Sequence, residues 1–125
     1  MVTRLALLVA AGAVGTLCRY GLAGIVQRSA GAGFPWGTLA VNLTGCLVAG
    51  LLFGLFESRW ALGGEARVIV FIGFLGAFTT FSGFMLETTE LARDAQWLAA
   101  AGNLILQNGL GAAALYAGLV VSRLI

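Results

Sequence analysis

The side chains in this sequence that could do chemistry are almost all uncharged. Thr38, Asn42, Thr79, Thr80, Ser82, Asn103 and Gln107 place neutral hydrogen-bond donors inside long apolar runs, and Phe81 and Phe84 stand beside the hydroxyls, three positions apart. There is no histidine, which removes the usual general base and the commonest zinc ligand. No nucleophile has a base near it and no carboxylate pair lies in mid-run, so an enzyme is not expected. Hydroxyl and amide donors suit a small anion, and the positive edge of an aromatic ring suits the same ligand. A helix break beside them would free backbone carbonyls, which suit a cation, as in selectivity filters. Ordinary packing competes with each role. Asn42, Asn103 and Gln107 also serve as interhelical glue, and the phenylalanines as core or lipid-facing bulk.

Only a membrane fold can hold these residues. Sixty per cent of the 125 residues are hydrophobic and twelve are charged, seven basic and five acidic. Mean hydropathy is +0.99, too high for a chain that must build a polar surface. Crossing a bilayer takes about 20 apolar residues, and four such runs, near 3–26, 36–56, 68–91 and 96–124, use almost the whole chain. The expected fold is a single all-α integral membrane domain of four transmembrane helices in a lipid bilayer. The arginines are scattered singly and make no basic stripe, so nucleic acid is not an expected partner. Cys18 and Cys46 fall inside apolar runs and read as small packing residues. The N-terminal run continues past the length of a leader's apolar region and is read as the first span.

Within this frame the third crossing is irregular. Its centre, Gly73 to Phe84, reads GFLGAFTTFSGF. Glycine and threonine weaken helix, and hydroxyls find no partner in hydrocarbon. Irregular backbone survives at membrane depth only where protein buries it or water reaches it. The third helix is therefore expected to break at mid-membrane, with the break as the functional site. In the second span Thr38, Asn42 and Gly45 share a face at spacings of four and three, and Gly50 and Gly54 form a small-xxx-small pair. In the fourth, Asn103, Gln107, Gly111 and Ala114 share another. Arg19, in the first span beside Tyr20, serves either as an interfacial anchor or as an anion attractor in a vestibule. Glu87 stands nearest the apolar part of its helix end and could guard a pore mouth; Glu90, Arg93 and Asp94 read as an ordinary wet terminus. A loop is expected from Gln27 to Phe34, ended by Pro35.

Charge leaves orientation open. With the N-terminus inside, Arg4, Arg59, Arg67 and Arg123 oppose Arg28 and Arg93, plus Arg19 if it snorkels outward, and four against three is almost no bias. Such a chain can insert both ways, and two oppositely inserted copies can pair as an antiparallel, dual-topology homodimer.

The run GFLGAFTTFSGF, with PWGTLAVNLTG at Pro35 to Gly45 and GxxGTLCRY at Gly12 to Tyr20, resembles the small bacterial fluoride channels of the CrcB/Fluc family. The similarity covers the first three spans in register; the fourth matches in character only. It implies a dual-topology dimer of four-helix subunits in the bacterial inner membrane, with two antiparallel fluoride pores. Asn42 matches the family's pore-facing asparagine, and Phe81 and Phe84 the phenylalanines whose ring edges line the fluoride path. Gly76 and Thr79 match the backbone carbonyls that hold a structural sodium ion on the dimer axis, and Arg19 the vestibule arginine. Thr38, Thr80 and Ser82 match hydroxyls near the pore or the break. Gly83 departs from the family's usual threonine, Met85 from a frequent serine, and Gln107 from a serine often found in the fourth span. A proton-coupled exporter of the small multidrug-resistance type is the alternative, but its coupling glutamate has no counterpart in the first span here. A structural membrane subunit is a third reading.

Overall fold

The protein is described from a computed structural model over residues 1–58 and 63–125, without the side chain of Ser58. Arg59, counted above on one side of the membrane, lies outside the described residues. Among the described residues six α-helical segments follow in chain order: α1 (Val2–Ala30), α2 (Trp36–Ser58), α3 (Gly64–Val68), α4 (Gly76–Phe78), α5 (Phe81–Arg93) and α6 (Trp97–Leu124), with a π-helical stretch, Ile69–Leu75, between α3 and α4. There is no strand among the described residues. The helices form four stretches long and apolar enough to cross a membrane: Val2–Ala30, Trp36–Glu57, Gly64–Arg93 and Trp97–Leu124.

The first helix runs further than the sequence suggested, to Ala30 rather than stopping before Gln27. Gln27 is the reason. Its Nε2 donates to the carbonyls of Gly31 at 2.5 Å and Phe34 at 2.9 Å, and its Oε1 accepts from the Gly37 amide at 2.9 Å. One amide thus satisfies three backbone groups at the α1–α2 connection, and helix can persist beside it. Gly31, at φ 93°, ends the helix in a conformation that favours glycine.

The core is the α2–α6 pair, the most extensive packing in the molecule. The backbones touch directly. A Cβ at Gly118 would meet the Leu47 carbonyl and stand 2.6 Å from the Leu51 amide, and one at Gly50 would meet the Leu115 carbonyl. Helices in lipid are held by such close packing, because hydrocarbon gives no hydrophobic drive between them. In contrast, α1 buries only Gly15 and packs along the π-helical stretch, α2 and α4. The remaining α1 surface, apolar and exposed, is suited to lipid or a second chain.

The third crossing bends. Ile69–Leu75 is wound as π-helix, and after Phe78 two residues adopt extended dihedrals: Thr79 at φ −84°, ψ 160° and Thr80 at φ −147°, ψ 112°. Helix resumes at Phe81, and α5 then packs against α6.

Candidate functional site

Leaving helical dihedrals at Thr79 and Thr80 strips neighbouring backbone groups of their usual partners. In an unbroken helix the Thr80 amide would bond the Gly76 carbonyl, and the Gly83 amide the Thr79 carbonyl. Here the Thr80 N–H donates to Asn42 Oδ1 at 2.9 Å, and the Gly83 N–H to Thr80 Oγ1 at 3.0 Å. Thr80 is therefore the N-cap of α5, the role that short hydroxyl side chains fill best. Asn42 also donates from Nδ2 back to the Thr80 carbonyl at 3.1 Å. A single carboxamide on α2 thus replaces both helical bonds of one unwound residue.

Thr80→Val, which keeps shape and β-branching, should lower unfolding stability by about 1 kcal/mol through loss of this cap. Thr80→Ser should restore most of it. Denaturant titration in detergent measures both, and an undiminished Thr80→Val would remove the cap from the account.

Two cavities meet at Thr80. The smaller, about 220 Å³, is lined by Asn42, Cys46, Thr79, Thr80, Phe81, Phe84, Gln107 and Asn108. Phe81 and Phe84 meet edge to face in its wall with ring centroids 5.6 Å apart. Phe84 is 4% exposed and Phe81 72% exposed, so one ring is seated in the protein while the other faces outward. The larger cavity, about 500 Å³, is lined by Arg19, Tyr20, Gln27, Thr38, Thr80, Gly83 and Glu87 among others. Arg19 makes no ion pair with any described residue. The Thr38 hydroxyl donates to Glu87 Oε1 at 2.7 Å, while Glu87 Oε2 is buried with no hydrogen-bond partner among the described residues. Glu87 also lines a third cavity of about 350 Å³, with Gln27, Glu90 and Asp94, beside the α1–α2 connection.

The structure therefore gathers Asn42, Thr79, Thr80, Phe81 and Phe84 at one cavity, and Arg19, Thr38 and Thr80 at the next. It does not bring Ser82 to either: that side chain is exposed. Gly76 and Thr79 line a separate space of about 260 Å³ with Gly45, Cys46 and Phe71. No group of three His, Cys, Asp or Glu side chains capable of holding a metal occurs among the described residues.

Sequence reasoning did not connect Asn42 to Gln107. Gln107 Oε1 accepts from Asn42 Nδ2 at 3.0 Å, and Gln107 is nearly buried. Beyond it Asn103 Nδ2 donates to Thr88 Oγ1 at 2.9 Å, and the Thr88 hydroxyl to the Phe84 carbonyl at 2.7 Å. Asn103 and Gln107 were visible as neighbours on one helical face. Which residue of another helix they meet is a matter of packing alone.

Residues 6–119 match the family described as CrcB-like protein, Camphor Resistance (CrcB). The chain is 59% identical over 115 residues to a protein of Desulforapulum autotrophicum named "Fluoride-specific ion channel FluC", covering 92% of each chain. It is 49% identical over 122 residues to a protein of the same name from Nitrosococcus oceani, covering 98% of each. A third so named, from Solidesulfovibrio magneticus, is 47% identical over 125 residues, the full length of both chains. Matched across all four crossings and over nearly its whole length, this chain belongs to the CrcB family.

Proposed function

We propose that the chain is a fluoride-selective channel that passively exports cytoplasmic fluoride across a bacterial inner membrane. The observation that carries this is near-full-length identity to relatives named as fluoride-specific channels, together with a cavity in which donors and phenyl rims converge on the unwound Thr80. Fluoride enters a cell as its weak acid, dissociates and is trapped as the anion. A passive pore then drains it down its gradient with no coupled ion.

In this reading the helix break lies at mid-membrane and two copies pair antiparallel, giving two pores. Anions gather at Arg19 in the larger cavity, pass Thr38 and Thr80, and reach the cavity that Asn42 helps to line, at the edges of Phe81 and Phe84. Ser82, exposed in the single chain, would meet the second copy or the pore mouth. The rings have no formal charge, so a small anion meets partial positive edges rather than a deep electrostatic trap. Binding must be strong enough to replace hydration and weak enough to release. The carbonyls of Gly76 and Thr79, deprived of their helical donors, would hold a structural sodium ion; hard carbonyl oxygens suit that cation. Bound there, it would supply fixed positive charge that ties two copies together.

The test is release from vesicles. Liposomes carrying the purified protein and loaded with fluoride should empty, as read by a fluoride electrode, while chloride-loaded vesicles stay full. Comparable release of both halides would sink the selectivity argument. With Phe81→Ile, fluoride release should fall by about tenfold or more, the loss of one favourable contact of roughly 1.4 kcal/mol.

A further inference from the structure

The Asn42 carboxamide has two N–H groups, and both are spent within the protein: one on the Thr80 carbonyl, one on Gln107 Oε1. Nor can it turn. The Thr80 N–H requires an acceptor, which fixes Oδ1 on that side. Nδ2 therefore faces Gln107, and Gln107 must answer with its oxygen; turning Gln107 over would set N–H against N–H. Gln107 Nε2 then faces Asn103 Oδ1 at 3.5 Å, the outer limit of a hydrogen bond. From there the direction holds through Asn103 and Thr88 to the Phe84 carbonyl. A backbone N–H at one end and a backbone carbonyl at the other orient every amide between them.

Side-chain N–H donors can now be counted at the Phe81–Phe84 cavity; of the hydroxyls there, Thr79 donates to the Leu75 carbonyl and Thr80 accepts from the Gly83 N–H. Asn42 has none to spare. Asn108 lines the cavity as an exposed side chain and turns one N–H to the Leu104 carbonyl, so its other N–H is not stranded away from solvent. Gln107 is 8% exposed, with one N–H on a stretched contact and one that meets no acceptor among the described residues. A nearly buried N–H without an acceptor costs free energy that a ligand in the cavity would recover.

We propose that Gln107 supplies the side-chain N–H that meets fluoride at the Phe81–Phe84 cavity, and that Asn42 is a positioning residue that splints Thr80 and holds Gln107. This rests on the fluoride-channel reading and names the donor within it.

Side-chain amide NMR of the intact protein in detergent micelles tests the assignment. Glutamine labelling gives three side-chain amides, from Gln27, Gln96 and Gln107, and asparagine labelling three, from Asn42, Asn103 and Asn108. Gln107→Met and Asn42→Leu identify the two that matter by their disappearance. Titration with sodium fluoride, against sodium chloride as control, should shift the Gln107 amide protons and leave those of Asn42 in place. Gln107→Met should slow fluoride release from vesicles about 10- to 100-fold, the range for one hydrogen bond to a charged ligand. Gln107→Ser, a shorter neutral donor, should recover part of it. A fluoride-dependent shift at Asn42 with Gln107 unmoved would overturn the proposal. So would shifts at neither amide in a protein that still releases fluoride, or full release by Gln107→Met. If the wild-type protein releases no fluoride, the channel reading itself falls.

Discussion

Asn42→Leu should abolish fluoride release and loosen the fold at once. Leucine is close to asparagine in volume, so the expected damage is in polar groups rather than space. The substitution leaves the Thr80 N–H, the Thr80 carbonyl and Gln107 Oε1 without the partners they now have. A buried group left unsatisfied costs about 1–3 kcal/mol. The two Thr80 groups border a cavity that water can partly serve. A loss of about 2–5 kcal/mol is therefore expected for the three together, read by denaturant titration in detergent. Asn42→Asp separates the components. It keeps an oxygen for the Thr80 N–H but turns acceptor against acceptor at the Thr80 carbonyl and at Gln107. It should also lose release while folding better than the leucine variant. Full stability and full release in either protein would mean that the Asn42–Thr80 pairing positions nothing.

Much of this arrangement was legible before the fold was known, for reasons particular residues make plain. The four crossings are evident because apolar length alone specifies them, and little else in the chain competes. Thr79 and Thr80, the two residues with extended dihedrals in the third crossing, lie inside the stretch whose glycines and hydroxyls had marked it as poor helix. The π-helical winding of Ile69–Leu75 just before them was not anticipated; its glycine and β-branched residues weaken α-helix without saying what replaces it. The persistence of α1 to Ala30 was hidden for a different reason. Gln27 acts on backbone groups at residues 31, 34 and 37, and backbone leaves no mark in a sequence. Gln107 is the clearest case. Its pairing with Asn42 spans 65 positions and depends on how α2 and α6 are rotated against each other. The glycines that permit that approach were visible in part, Gly50 and Gly54 as a spaced pair, but not the partner Gly118.

Gly118 carries the second large prediction. Gly118→Val should prevent α2 and α6 from closing, because even the first added carbon would stand 2.6 Å from the Leu51 amide and strike the Leu47 carbonyl. Both obstacles are backbone, so no rotamer change relieves them; a helix must move. Overpacking of this kind costs about 1–3 kcal/mol where side chains can yield, and more where they cannot. Since α2–α6 is the main packing of the molecule, we expect loss of the monodisperse folded protein on size exclusion in detergent. Gly102→Ala on the same helix is the control, for nothing lies within 4 Å of its added carbon, and it should behave as wild type. A monodisperse Gly118→Val protein with wild-type thermal stability would show that the two helices do not meet as described.

The account depends most on the geometry of the third crossing, and an experimental map of the membrane-embedded protein in sodium fluoride tests it directly. The expected map shows two head-to-tail copies, extended backbone at Thr79 and Thr80 clasped by Asn42, and a halide within reach of the Phe81 and Phe84 edges and the Gln107 amide. A continuous helix from Gly64 to Arg93 with both rings turned to lipid would contradict it.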